Sequence, residues 1–323
     1  MTNAESRAPA ATHVFARARL PGSPKHLALL RIVLGGYLIS VFSSGAIPLL
    51  MAIPARVYPG TRSAFPLGFE EFAAQHLVRP LLTVGLVASI MLCIGLLTRT
   101  ATLVTLVAYV ITQNYYYRMI TAHDDWLYFT FFLLVFLFAP VADAWSVDAR
   151  IRPRRSRPAT DYRWPVEWMG AWLALLYVAA GVAKLFPLRK GIVWLNGYSI
   201  QGMVANEVHE SGFYWILGHS AFDYQVHWPF VVLSWVAVAA ELSAITVLFW
   251  RRAVPWVALA IIGMHASIAM FGITGFLNIF LVASITWWEP KWFGDTTPKP
   301  AADPIPDAPQ APNPSPAPEL AAS

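Results

Sequence analysis

Trp172-Leu173-Ala174-Leu175-Leu176-Tyr177-Val178-Ala179-Ala180-Gly181-Val182-Ala183-Lys184-Leu185-Phe186 is an apolar run carrying a single charge near its end. Read with its neighbours over 166–187, it reaches the roughly 20 mainly apolar residues that cross a hydrocarbon core. The stretch therefore predicts a membrane helix. It also poses a chemical question, because an ammonium in hydrocarbon costs at least ~2.5–3.5 kcal/mol. Lys184 must snorkel to an interface, pair with another group, or give up its proton. The last course would make it a base.

Seven more segments of the same kind lie on either side: 26–50, 80–97, 100–119, 125–142, 228–250, 254–271 and 273–289. The plainest is 125–142, with Leu127-Tyr128-Phe129-Thr130-Phe131-Phe132-Leu133-Leu134-Val135-Phe136-Leu137-Phe138 at its centre. Only Thr98-Arg99-Thr100 divides the second segment from the third. The last two are separated by the short Gly272/Gly275 turn and could instead be one broken helix. Composition agrees: 57% of residues are hydrophobic and 13% charged, where soluble domains sit nearer 45–50% and ~25%. The mean hydropathy is +0.52. The expected fold is all-α, a polytopic bundle of about eight transmembrane helices in the cell membrane.

The basic residues give an orientation. Arg7, Arg17, Arg19 and Lys25 precede the first segment. Arg150, Arg152, Arg154, Arg155, Arg157 and Arg163 follow the fourth, while Arg99 and Arg251-Arg252 mark two further turns. With eight spans all of these fall on one side, the cytoplasmic side by the positive-inside tendency, and both termini are cytoplasmic. The loops 51–78, 120–124 and 188–227 fall outside. The net charge of +5 then belongs to cytoplasmic loops and not to nucleic-acid binding. Residues 1–24 have no apolar core before Leu27, so they are expected to be a cytoplasmic segment and not a signal peptide. Residues 25–289 form the membrane domain, and 290–323 a disordered Pro/Ala-rich tail. Fourteen Trp and twelve Tyr suit interfacial aromatic belts.

A few polar groups interrupt the apolar segments. Ala180, Gly181 and Ala183 beside Lys184 are small, and small residues let neighbouring helices approach. Lys184 is therefore expected to face the bundle, where desolvation would favour the neutral amine. The competing reading is interfacial snorkelling. His123 precedes Asp124-Asp125 at an outer turn, where it is either solvated or part of a site. His265 lies mid-segment and is expected to face the interior, as a helix–helix hydrogen bond or a site residue. Glu241, inside Val238-Ala239-Ala240-Glu241-Leu242-Ser243, must be paired or protonated. Asn278 could bridge helices. Lys184, His123 and His265 are expected at similar depth on the outer side.

Several chemistries are excluded. Cys93 is the only cysteine, which rules out an internal disulfide, a CxxC redox pair and a thiolate zinc site. HExxH, Walker, GxGxxG and GxSxG patterns are absent. A haem would want paired histidines on facing helices, so neither haem nor metal is expected.

Tyr177-Val178-Ala179-Ala180-Gly181-Val182-Ala183-Lys184-Leu185, followed by Trp194-Leu195-Asn196-Gly197-Tyr198-Ser199, resembles the Y-x-x-A-G-x-x-K-L…W-x-x-G-Y/A pattern of the HTTM (horizontally transferred transmembrane) family. That family includes the vitamin K-dependent γ-carboxylase. His123 through Leu134, closing on Trp145-Ser146-Val147-Asp148, is similar to its H-x-x-x-L…W-S-x-D stretch. Glu241-Leu242 through Arg251-Arg252, and His265 through Phe276, are similar to two more. The resemblance covers roughly 25–289. It implies that Lys184 is the general base that deprotonates a reduced, vitamin K-like quinone. His123 would assist as a donor to a developing oxyanion, and His265, Tyr177 and Trp194 would line an outward-facing cavity around the cofactor. The bilayer and a lipophilic small molecule are the partners so implied. The chain departs from the carboxylase at Ala122, where the carboxylase has asparagine, and in the longer Phe186–Gly191 spacing. The carboxylase also has a large lumenal domain that helps bind a protein substrate, and the Pro/Ala-rich stretch after the last expected span is not expected to replace it. Carboxylation of protein glutamates is therefore not the favoured reading. The reading from outside enzymology is a transporter-like, immunity or assembly protein whose bundle is structural.

Overall fold

The computed structural model describes residues 13–45, 72, 76–120, 126–151, 157–186, 194–207, 227–270 and 285–287. Among them every regular element is helical, as expected. The helices are α1 (Val14–Arg17), α2 (Pro24–Ser43), α3 (Val78–Ile94), α4 (Thr98–Ile120), α5 (Trp126–Phe138), α6 (Val147–Ile151), α7 (Trp164–Leu185), α8 (Tyr198–Glu207), α9 (Trp228–Ser243), α10 (Thr246–Phe249) and α11 (Val254–Met270). Short 3-10 turns, Ala159–Tyr162, Trp194–Asn196 and Arg251–Ala253, precede α7, α8 and α11. The eighth expected segment and the Pro/Ala tail lie outside the described residues, apart from the turn at 285–287.

Among the described residues, three stretches are long and apolar enough to cross a membrane: Pro24–Ser43, Ala159–Leu185 and Trp228–Phe249. The helices α2, α7 and α9 within them each have a proline in the first turn (Pro24, Pro165 and Pro229), where the missing N–H would have had no partner and the fixed φ suits a helix. The helices pack in sequence: α2 on α3, α3 on α4, α4 on α5, α5 on α7, α7 on α9 and α9 on α11. Leu27, Leu34, Leu38, Tyr109, Phe129, Phe132, Phe136, Leu173 and Ala174 form a shared apolar core. Val87, Val107, Trp235 and Leu259 face outward, as a lipid-facing surface requires.

The break between α3 and α4 corrects the sequence reading. It falls at Gly95–Leu97, and Thr98-Arg99-Thr100 already belongs to α4. Gly95 closes α3 at φ 73°, with Leu96 N–H donating to Met91 O at 2.8 Å and Gly95 N–H to Leu92 O at 3.1 Å. This is a Schellman end, which wants glycine in the left-handed region. A Cβ on Gly95 would also sit 2.6 Å from Arg31 Nη1. Asp148 then caps α4, accepting from Leu97 N and Thr98 N at 2.9 and 2.8 Å and from Thr98 Oγ1 at 2.8 Å. Beneath this turn Arg31 is fully buried and donates to the carbonyls of Val141 and Trp145 at 2.9 and 2.5 Å. The Trp145-Ser146-Val147-Asp148 motif is thus a structural lock between the α3–α4 turn and the α5–α6 loop.

Candidate functional site

Tyr177, Gly181 and Lys184 recur at helical spacing on α7, so they lie on one face. That face meets α9. A Cβ on Gly181 would stand 3.0 Å from Leu242 Cγ and 3.2 Å from Glu241 Cβ, so the helices approach closely because residue 181 has no side chain. The expected small-residue contact is present at Gly181, while Ala183 points outward and is exposed.

Close approach brings two charges together. Lys184 Nζ donates to both oxygens of Glu241, at 2.5 and 2.7 Å. The lysine side chain is 18% exposed and the glutamate 8%. Of the three courses open to Lys184 in the sequence, the structure takes pairing, and the same contact answers the buried Glu241. Sequence alone named both residues but did not join them, since 57 positions separate them. The Trp194 ring lies 5.2 Å from Nζ, within reach of a cation–π contact.

A second polar pair lies deeper. Tyr177 Oη and His265 Nε2 are 2.8 Å apart, and both residues are buried. His265 therefore faces the interior, as expected of a mid-segment histidine. Tyr177 precedes Lys184 by seven residues, or about 10 Å along the helix axis. The two pairs are staggered along α7 and do not share one depth. Trp287 closes the inner side, its ring 5.9 Å from that of Tyr177. His123 and Asn278 lie outside the described residues.

His227 and Gln201 join the outer end of this region without having been singled out in the sequence. His227 bonds Gln201 Oε1 at 2.8 Å and Asn196 O at 2.5 Å, and stacks on Tyr198 at 4.0 Å. Gln201 is buried. The one available signal was position: His227 stands immediately before Trp228-Pro229, the start of α9. Together with Trp194 these residues pack the 194–207 segment onto α9.

Chemically, the region holds an amine, a carboxylate, an imidazole and a phenol, all of which exchange protons. No cluster of three or more His, Cys, Asp or Glu residues fit for a metal ion occurs among the described residues. Comparison with curated proteins and with solved structures gives no match. The family model described as the HTTM domain matches residues 21–292, which takes in every helix from α2 to α11. The chain is a membrane protein of the HTTM domain family.

Proposed function

We propose that this protein crosses the cell membrane several times, with its arginine-rich helix ends in the cytoplasm. Its opposite end would receive a lipophilic molecule such as a reduced quinone, beside Lys184. The observation that carries the reading is the Lys184–Glu241 pair, set into an apolar bundle beside an aromatic face. Such a pair holds one proton fewer than its two basic sites can take. With the shared proton on Glu241, the Lys184 amine accepts the proton of a substrate hydroxyl, leaving a protonated Glu241 and an ammonium at Lys184. The ammonium remains to balance the negative charge left behind, in surroundings where charge is weakly screened.

The residues present fit a quinone. Trp194 offers a ring face next to the amine, and the Tyr177 and Trp287 rings lie near one another deeper in the bundle. When bound, a reduced quinone supplies a weakly acidic hydroxyl and two electrons. Lys184 and Glu241 would take its proton, Trp194 would orient its ring, and the Tyr177–His265 pair would provide a hydrogen-bonding group deeper in the bundle. The family resemblance supports the same assignment for Lys184 and extends it to carboxylase-like oxygen and CO2 chemistry.

The test supplies purified protein with a reduced naphthoquinone, oxygen, labelled CO2 and a glutamate peptide. Quinone epoxide should form with wild type and fall by at least ~100-fold with Lys184→Ala, the scale of a lost general base. Equal epoxide from both would sink the assignment.

A second reading is favoured by the closeness of the pair. With both Glu241 oxygens on one Nζ, the contact can serve as a clamp between α7 and α9 in a protein without catalysis. A Lys184→Met/Glu241→Leu variant that folds and keeps its cellular function would select the clamp.

A further inference from the structure

At the other end of α7 the structure holds a cavity of about 250 Å³. It lies between the starts of α7 and α11, α1 and the 285–287 turn. Arg17, Arg163, Arg251 and His26 line its polar part, and Val247, Val254 and Trp287 contribute to its apolar wall. Glu167 is the single carboxylate among the described lining residues. Both its oxygens are engaged: Arg17 Nε donates to one at 2.8 Å, and Arg163 donates to the other from Nε at 2.8 Å and Nη2 at 2.5 Å. Three guanidiniums therefore face one acid already shared by two of them. Arg251 is exposed, and no carboxylate among the described residues answers it. The N-terminal ends of α7 and α11 open on the same space and add partial positive charge.

From this geometry we infer that the cavity binds a phosphate ester of net negative charge carried on an apolar body, with Arg251 as its ligand. Guanidiniums match phosphate oxygens in bidentate fashion, and the apolar wall suits the remainder of an amphiphile. The volume admits a headgroup but not a whole lipid, since complete ligand sites run from about 300 Å³ upward. On the far side of the Arg251–Ala253 turn a second, more open groove is lined by Trp250, Trp256, Arg252 and Val257. Exposed tryptophans beside a basic turn are what an interface with lipid headgroups selects. The arginine-rich end of a membrane protein is also the end that meets the anionic leaflet. This site is independent of any chemistry at Lys184.

The experiment uses the full-length protein in detergent. Retained lipid is counted by native mass spectrometry after adding phosphatidylglycerol or phosphatidylcholine, with inorganic phosphate as a competitor. Wild type should retain phosphatidylglycerol about tenfold better than phosphatidylcholine, the scale of one charge-assisted bond. Arg251→Gln should lose that preference, and Arg251→Lys should keep part of it. Because Arg251 is exposed, the lipid-free melting temperature of Arg251→Gln should equal that of wild type, which separates binding from folding. If millimolar inorganic phosphate displaces the lipid and itself raises the melting temperature of wild type but not of Arg251→Gln, the site stands and its natural ligand is a soluble phosphate ester. Equal retention of the two lipids by wild type, or an unchanged preference in Arg251→Gln, would overturn the inference.

Discussion

The two ends of α7 each bury a glutamate, and they treat it differently. Glu167, in the first turn, is gripped by two arginines. Glu241 meets the last turn through one lysine. Guanidiniums do not deprotonate in proteins and bond carboxylates in a fixed fork, so the cations at the Glu167 end are permanently charged. The 2% exposure of Arg17 adds rigidity, and its second donor is held by Val247 O at 2.8 Å, tying α1 to α10. The Lys184 end has only groups that can gain or lose a proton, with a histidine and a tyrosine two turns further in. One helix thus carries a fixed anchor at one end and an exchangeable pair at the other.

Breaking the anchor should have the largest effect. Glu167→Leu leaves the buried Arg17 and the partly buried Arg163 without their shared carboxylate, and neither can shed its charge. A loss of ~3–5 kcal/mol is expected, as for breaking other buried pairs. It would be seen as a collapse of the melting temperature in detergent or a failure to accumulate. Glu241→Leu should cost less, about 2–3 kcal/mol, because Lys184 is partly exposed and can carry its head toward water on a flexible stem. Restoring an apolar match with Lys184→Met/Glu241→Leu should bring stability back to within about 1 kcal/mol of wild type. If Glu241→Leu destabilises as severely as Glu167→Leu, the contrast between fixed and exchangeable charge is wrong.

These two ends were unequally legible in the sequence. Seven of the expected helical segments coincide with helices, because apolar runs of that length have few other folds. The first of them, α2, ends at Ser43 and not at 50, and 228–250 is split into α9 and α10. Lys184 and Glu241 stood out for the same reason: each is a lone charge in an apolar run. Their partnership was hidden, since periodicity gives the face a residue occupies on its own helix but not which helix it meets. The Glu167 anchor was missed. Glu167 and Arg163 sit at a helix start, where charges are ordinary, and Arg17 lies in a basic segment that reads as a cytoplasmic tail. Burial of Arg17 and Arg31 against carbonyls is likewise a tertiary fact with no local pattern. The break at Gly95 was misplaced by three residues because its cap, Asp148, comes from a loop about fifty residues away.

Tyr177→Phe sharpens the comparison at the exchangeable end. It keeps the ring packed against Trp287 and removes the hydroxyl that meets His265 Nε2. The net cost should be about 1–2 kcal/mol, that of a lost buried hydrogen bond with one partner left behind. His265→Asn in the Tyr177→Phe background should add little to this, since neighbours in one bond are not additive. A fully additive double variant, measured by thermal unfolding, would show that the two residues do not act as a pair.

Gly181→Ala is the gentlest probe and separates stability from the geometry of the pair. Alanine favours helix over glycine by up to about 1 kcal/mol. Its Cβ, however, would press on Leu242 at 3.0 Å and on Glu241 Cβ at 3.2 Å, and overpacking costs ~1–3 kcal/mol. The flexible Leu242 side chain can give way, which keeps the overpacking at the low end of that range and leaves a net loss of about 1 kcal/mol or less. The same push moves Glu241 away from Lys184 and opens the pair to water. An amine-reactive probe, which attacks only the neutral amine, should therefore label Lys184 at a rate different from wild type while the melting temperature barely moves. No such separation can be made at the arginine end, where the cations are guanidiniums that do not deprotonate. Unchanged labelling together with unchanged stability would mean that α9 yields at Leu242 alone, and that the lysine–glutamate contact does not depend on the missing side chain at position 181.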